Sequence, residues 1–547
     1  MSKTVTVILC GGKINFLNLP IKSNTSNSMI PVNGKPVISW ILEDLIEKGF
    51  NQAVLVHRSD DIHLKQFLTR TFCTKMKLDL LELNESPSIL HSLKAGLEHS
   101  NLEGAVQVIL GDTLIRDSFD IEGEYVYTHT VEDSTRWCIA ESDSNGVIVN
   151  YHDKTENPGV PFEALCGYYK LNHSGDFYNL ILKGIIDGKN QLSDVLKSYG
   201  SKYIVKSLPA NYWYDFGNIE NLLSAKRQLL QSRYFNSLFI HPVLNTITKE
   251  SEFDDKLRNE LKWYEDLPSE LSVLSPRIIK KNEKEGRLVF TQEYYGYPTL
   301  SELFLYSDLS QEAWHGIVKK LMEIVTEFGK YSTQINNETL LEIYLNKTFE
   351  RLNILFEGDQ KWKELFDKET LLINGIVYKG FQRLIPQINQ YAKKMIVNAR
   401  LGILHGDLCF SNILFDINSQ IVKLIDPRGS FGQVGIFGDQ RYDMAKLRHS
   451  IHGLYDYIVS DLFEVSIDGN EIKCNIFSNE VPTAVTIDFD KQLEANGFNP
   501  DEIQFIEGLL FISMLPLHKD KPSRQQVMFA QGIVFLNEII EKYENCN

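Results

Sequence analysis

Three stretches near the start of the chain, TVTVILC, QAVLVH and AVQVILGD, are apolar without alternation, and between them PVISWILEDLIEKGF and SILHSLKAGLEHS place apolar residues at helical spacing. A strand that is apolar on both faces must be covered on both, and alternation with helices supplies the cover. The pattern predicts an α/β domain with a mostly parallel sheet and helices on both faces. Pro36 near the start of the first helix and Gly49 at its end punctuate it. Ligands of such sheets bind at the carboxyl ends of the strands, and Gly11, Gly12 and Asp112 fall there.

The pattern changes after NIENLLSAKRQLLQSRYF. From roughly residue 235 follow a strand-like SLFIHPVLNTITK, a helix EFDDKLRNELKWYEDL, then strands PRIIKK and RLVFTQEYYGY. Beyond Leu300 the chain reads as mostly helical: EAWHGIVKKLMEIVTEF puts Trp314, Ile317, Val318, Leu321, Val325 and Phe328 on one face. DLFEVSIDGNEIKCNIF reads as a hairpin turning at Asp468-Gly469. A chain of 547 residues is too long for one core, so the change of pattern divides it into domains 1–230 and 231–547.

A formal net charge of −16 disfavours nucleic acid as a partner, because phosphate backbones need a basic face. The longest apolar stretches are too short for membrane insertion, and MSKTVTVILCGG runs into a strand with no cleavage site. Seven scattered cysteines with no CxxC pair suit free thiols, so a cytoplasmic location is expected. A homo-oligomer is compatible with all of this.

In LHGDLCFSNILF, Asp407 and Asn412 are set into an apolar run, and LIDPRG then closes a strand with Asp426. Phosphoryl transfer needs a carboxylate to orient and deprotonate the attacking hydroxyl, and hard oxygen ligands for Mg²⁺. Asp407 as base, with Asn412 and Asp426 as metal ligands, supplies that set. Capping of a helix and a strand end would account for either aspartate alone, but not for the combined spacing. Asp439 and Asp443, in GDQRYDMAKL, read as structural acids at a helix start.

HGDLCFSNILF, LIDPRG and GDQRYDMAKL resemble the aminoglycoside phosphotransferase and choline kinase-like family. The resemblance implies a two-lobed protein-kinase-like α+β domain, with a small lobe about 231–300 and a large helical lobe about 301–547. It implies a phosphate-binding lysine, Lys249, with Lys256 the alternative, a helix glutamate, Glu260, and a hinge at Glu293 and Tyr294 beside the adenine of ATP. Pro-Arg-Gly after Asp426, and the lack of Ala-Pro-Glu, point to a small hydroxyl acceptor and not a polypeptide.

VILCGGKINF, VILGDTLIRD, ALCGYYKL and WYDFGNIENLLSAKR resemble sugar nucleotidylyltransferases, in that family's order, which implies a Rossmann-like sheet. The resemblance implies Gly11, Gly12 and Lys13 near a triphosphate, Asp112 and Asp215 as magnesium ligands, Gly167 against a sugar phosphate, and Asp153 and Lys154 near the sugar. The chain departs from the family pattern at Ile14 and Phe16, where a Gly and an Arg are expected, and at Ser26-Asn27 in place of Pro-Lys. Lys13 or Lys22 is the candidate replacement cation.

The expectation is a bifunctional transferase. ATP phosphorylates a small hydroxyl compound, a sugar in the first instance, and the phosphate is then joined to a nucleotide from an NTP with release of pyrophosphate, for capsule or other surface polysaccharide precursors. The alternatives are a choline- or ethanolamine-type amino alcohol kinase fused to a cytidylyltransferase, and an active kinase joined to a non-catalytic nucleotide-sugar-binding domain.

Overall fold

In a computed structural model the apolar strands of the N-terminal part lie side by side. Val106–Leu110, Val5–Cys10, Gln52–Arg58 and Lys77–Leu83 form a parallel run. Phe162–Leu171 joins it antiparallel beside Val106–Leu110 and links it to Cys138–Ser142 and Ile148–Asp153. From Val5–Cys10 the chain builds outward on one side, then returns to the other side for Val106–Leu110. The carboxyl ends of these two neighbours therefore flank the crevice where strand order reverses. Five of the six residues of Val5–Cys10 are buried, as an interior parallel strand requires. Helix Ile89–Glu98 packs Leu90, Leu93 and Leu97 on the sheet in a mixed parallel, Rossmann-like α/β arrangement.

The structure describes residues 4–13, 26–100, 102, 104–154, 162–230, 236–241, 243–251, 254–284, 287–307, 309–478 and 481–546. Ile14, Phe16 and Lys22 lie outside them. The chain separates into two compact units, Met1–Leu229 and Leu230–Asn547.

The C-terminal unit opens with a four-stranded antiparallel sheet, in the order Asn236–His241, Thr246–Ser251, Arg287–Glu293, Ile278–Lys284. The single strand-like stretch SLFIHPVLNTITK is thus two strands, folded back around Asn245 at φ 48°. Helix Asp254–Asp266 follows them. Helix Leu300–Tyr306 begins in a capping box of Thr299 and Glu302. Gln311–Phe328 buries Trp314, Ile317, Val318, Leu321, Val325 and Phe328, each worth roughly 1.5–3 kcal/mol relative to exposure. The hairpin Phe463–Asp468 and Glu471–Ile476 pairs Asp468 with Glu471, so its turn is Gly469-Asn470, one residue later than the Asp-Gly signal suggested. Gly469, at φ 63°, supplies the left-handed conformation that such a turn needs. Helix Gln440–Ile451 is buried at all twelve positions, although it carries Arg441, Asp443, Lys446, Arg448 and His449. Among the described residues no helix is long and apolar enough to cross a membrane.

Candidate active sites

In the N-terminal unit the short strand Trp213–Asp215 pairs antiparallel with Thr113–Ile115, placing Asp215 opposite Thr113 and therefore beside Asp112. A Cβ built on Gly217 would lie 3.1 Å from Asp215 Oδ1 and 3.6 Å from Asp112 Oδ2, so both carboxylates edge the same small space. Asn218, Asn221 and the Gly217 amide donate to Asp215. Burial pushes the Asp112 carboxyl up, and the like charge of Asp215 pushes it further. Burial also raises Asp215, against the pull of its hydrogen bonds. Two half-buried like charges so placed are stabilised by a cation between them, and hard carboxylate oxygens fit Mg²⁺. Among the described residues no group of three or more His, Cys, Asp or Glu could hold a metal, so phosphate and water oxygens would have to complete the shell.

Asp112 lines two cavities. One, of about 290 Å³, is bounded by Gly11, Gly12, Asn27, Ser86, Ser88 and Ser92. The other, of about 620 Å³, is bounded by Asp153, Lys154, Gly167, Trp213 and Asp215 among others. Gly167 sits at φ 84°, and a Cβ there would come within 2.8 Å of Thr113 Cγ2, so glycine is required twice over. The glycine turn is tied down: the Gly11 carbonyl accepts from Arg58, the Gly12 carbonyl from the Asn27 amide, and Lys13 bridges to Ser26. Asn27, at the position of the expected lysine, donates Nδ2 to Asp112 Oδ2 at 3.2 Å.

In the C-terminal unit Lys249, on strand Thr246–Ser251, donates to Glu260 Oε1 at 2.6 Å and also to Asp426. Asp426 and Glu260 hold this ammonium charged, although burial alone would lower it. The Tyr264 hydroxyl reaches Glu260 and accepts from the Asp426 amide, which locks Asp426 in the left-handed region at φ 56°. Just beyond it, Gly429 packs so closely on helix Asp254–Asp266 that a Cβ would lie 1.9 Å from the Asn259 carbonyl oxygen. Asn412 donates Nδ2 to the Asp407 carbonyl at 2.9 Å and to its carboxylate at 3.1 Å, turning its amide oxygen away. That oxygen and the Asp426 carboxylate, 54% exposed, are donors of the type magnesium takes.

Asp407 caps no helix. Its carboxylate pairs with Lys446 at 2.9 Å and remains 35% exposed. Burial would raise it, but Lys446 and Arg428 hold it well below the usual carboxylate range. Asp443 does more than favour a helix start, because its two oxygens accept the backbone amides of His405 at 2.7 Å and Gly406 at 2.9 Å. The loop that carries Asp407 is thereby held from below. Burial pushes Asp443 up to about 7. Asp439 caps helix Gln440–Ile451 through the Arg441 amide and pairs with the Arg441 guanidinium. At the expected hinge, Glu293 donates its amide to the Arg277 carbonyl and Tyr294 to the Asn245 carbonyl, so neither N–H is left for a base.

Lys446, Arg428 and Tyr264 were not singled out from sequence. Lys446 carries no local signal, because it stands three residues after Asp443 in a helix whose sequence is rich in charged residues. Arg428 stood in view inside LIDPRG.

Residues 5–232 match the family model described as Nucleotidyl transferase. The chain is 26% identical over 230 residues to the Bifunctional protein GlmU of Methanocaldococcus jannaschii, covering 41% of this chain and 54% of that protein. It thus spans about half the length of that relative. It is 22% identical over 232 residues to a glucose-1-phosphate thymidylyltransferase of Mycolicibacterium smegmatis, covering 40% of this chain and 80% of the relative. A solved CTP:phosphocholine cytidylyltransferase from Streptococcus pneumoniae aligns with 41% of this chain and 99% of its own, at 17% identity and a TM-score of 0.35. Residues 5–232 carry a nucleotidyl transferase domain.

Proposed function

We propose that the chain is a two-site transferase: an ATP-dependent phosphotransferase in the C-terminal unit and a nucleotidyl transferase of phosphorylated small molecules, sugar phosphates first among them, in the N-terminal unit. The second half of this reading rests on the match over residues 5–232. The observation that carries the first half is Lys249 bridging Glu260 and Asp426, with Asp407 and Asn412 joined to each other. This is the arrangement that phosphoryl transfer requires, which is almost wholly positioning and charge.

In the C-terminal site Asp407 orients the acceptor hydroxyl and receives its proton, and Lys249, held by Glu260, aligns the ATP phosphates. Asn412 and Asp426 would hold magnesium, which when bound neutralises charge between phosphate oxygens. In the N-terminal site the NTP lies over the glycine turn in the smaller cavity and the phosphorylated compound lies in the larger one. Asp112, on the wall of both, and Asp215 would hold the metal where the two substrates meet. The product of one site is a substrate of the other, and supply of surface polysaccharide precursors suits such a pair.

One observation favours a second reading, a non-catalytic N-terminal module that binds a nucleotide sugar. Asn27 brings an uncharged amide to Asp112 where a cation is expected. Incubating the chain with ATP, each NTP and a panel of sugars and amino alcohols, followed by phosphorus NMR, separates the two. The transferase reading expects an acceptor phosphate, then a diphosphate diester together with pyrophosphate. No pyrophosphate with any NTP, while nucleotide sugars still bind, would leave only the module.

A further inference from the structure

Four cations gather about Tyr442, which shares its helix with Lys446. Lys446 pairs with Asp407 directly. Arg428 donates to the Tyr442 hydroxyl at 2.9 Å and lies 5.7 Å from the centre of that ring. Lys347 and Arg351, one turn apart on helix Lys347–Gly358, both interact electrostatically with Tyr442 and Arg428, and Lys347 also with Lys446. Arg351 anchors to the Ser513 carbonyl at 3.3 Å. Lys347, Arg351 and Arg428 are half-buried, and Asp407 is 35% exposed.

The carboxylates that face Arg428 and Lys446 are already engaged. Asp407 is ionised and shared with Lys446, and both Asp443 oxygens are taken by backbone amides. Burial would raise the Tyr442 phenol, but Arg428, Lys446 and Lys347 hold it below its ordinary value. Lys347 and Arg351 are themselves lowered, by burial first and then by Arg428. Cations crowded against one another are relieved when an anion arrives.

We propose that the hydroxyl compound phosphorylated at Asp407 carries a negative group of its own, a carboxylate or a phosphate, which Lys347, Arg351 and Arg428 bind. The inference rests on the phosphotransferase reading and deepens it. In the step, the acceptor oxygen bonds to the γ-phosphorus of ATP and the bond from that phosphorus to the bridging oxygen of ADP breaks. The acceptor proton passes to the Asp407 carboxylate, and ADP leaves. A choline-type ammonium would meet like charges in this place.

The test follows ADP release by the full chain with MgATP. The acceptors are glucuronate and glycerate, glycerol 3-phosphate and glucose 6-phosphate, neutral glucose and glycerol, and cationic choline and ethanolamine. At least one anionic acceptor should exceed its neutral counterpart tenfold or more in kcat/KM, and the arm that does so tells carboxylate from phosphate. Lys347→Gln with Arg351→Gln should raise its KM at least tenfold and leave the KM for ATP within twofold. Preference for neutral or cationic acceptors overturns the inference and leaves the phosphotransferase standing. If no acceptor is turned over but a fluorescent ATP analogue binds, calorimetry on the MgADP form decides. Binding of glucuronate or glycerol 3-phosphate that is lost in the double variant sustains the inference, and no binding overturns it. Neither ADP release nor binding of the ATP analogue overturns both readings.

Discussion

Asp443→Asn separates what holds the Asp407 loop from what stabilises the fold. The wild-type carboxyl is pushed by burial from 3.8 up to about 7. Between those values the folded chain takes up a proton that the unfolded chain does not, so stability falls as pH rises through the window, and the full penalty stands above about 7. At 1.36 kcal/mol per pH unit that penalty is about 4 kcal/mol, already net of the two amide hydrogen bonds that favour the carboxylate. Like the protonated acid, the asparagine keeps one acceptor for two buried amides and turns an NH₂ toward the other. It escapes the charge penalty, so denaturant unfolding at pH 8 should find the variant more stable than the wild type, by up to about 4 kcal/mol. The loop itself should loosen. Hydrogen exchange of the peptide containing His405 and Gly406 should speed at least tenfold, and kcat should fall tenfold or more with the KM for ATP little changed. In the wild type kcat should decline as pH drops through about 7, and in the variant that limb should vanish. Unchanged exchange at His405 and Gly406, or kcat within twofold of wild type, would refute the claim that this carboxylate holds the loop.

Asp407→Asn should cost on the order of 10²-fold or more in turnover while ATP still binds, measured by ADP release beside analogue titration; near-normal turnover removes the assignment as base. Lys249→Ala should raise the KM for ATP and lower kcat together, and Lys256→Ala should do neither; the opposite result in parallel steady-state assays means the wrong lysine. Asp112→Asn or Asp215→Asn should abolish pyrophosphate release and leave ADP release intact, since these residues belong to a different compact unit from Asp407. Lowering free magnesium should reduce both activities, and Asp426→Ala should shift the requirement of the phosphotransfer alone.

What the sequence makes legible here follows from local physics. Apolar runs without alternation can lie only inside a covered sheet, so Val5–Cys10 and Val106–Leu110 were readable as its interior strands. The spacing from Asp407 to Asn412 is short enough to be one loop, so their contact was readable as well. Pairings across long separations were not. Lys249 was found only because a resemblance marked it, and nothing local says that it reaches an acid 177 residues away. Lys446 was hidden for a related reason, because in GDQRYDMAKL it reads as an exposed helix lysine, whereas the helix is buried on every side. The split of SLFIHPVLNTITK was missed because the turn depends on Asn245 adopting a positive φ, which asparagine permits but does not announce.

The packing of Gly429 on the Asn259 carbonyl constrains how the proposed phosphotransfer site could open. Asn259 immediately precedes Glu260, and Gly429 lies three residues past Asp426. The helix that presents Glu260 and the loop that presents Asp426 are wedged at one point. A regulator that worked by swinging this helix outward would have to break the Lys249–Glu260 pair and open that wedge at the same time.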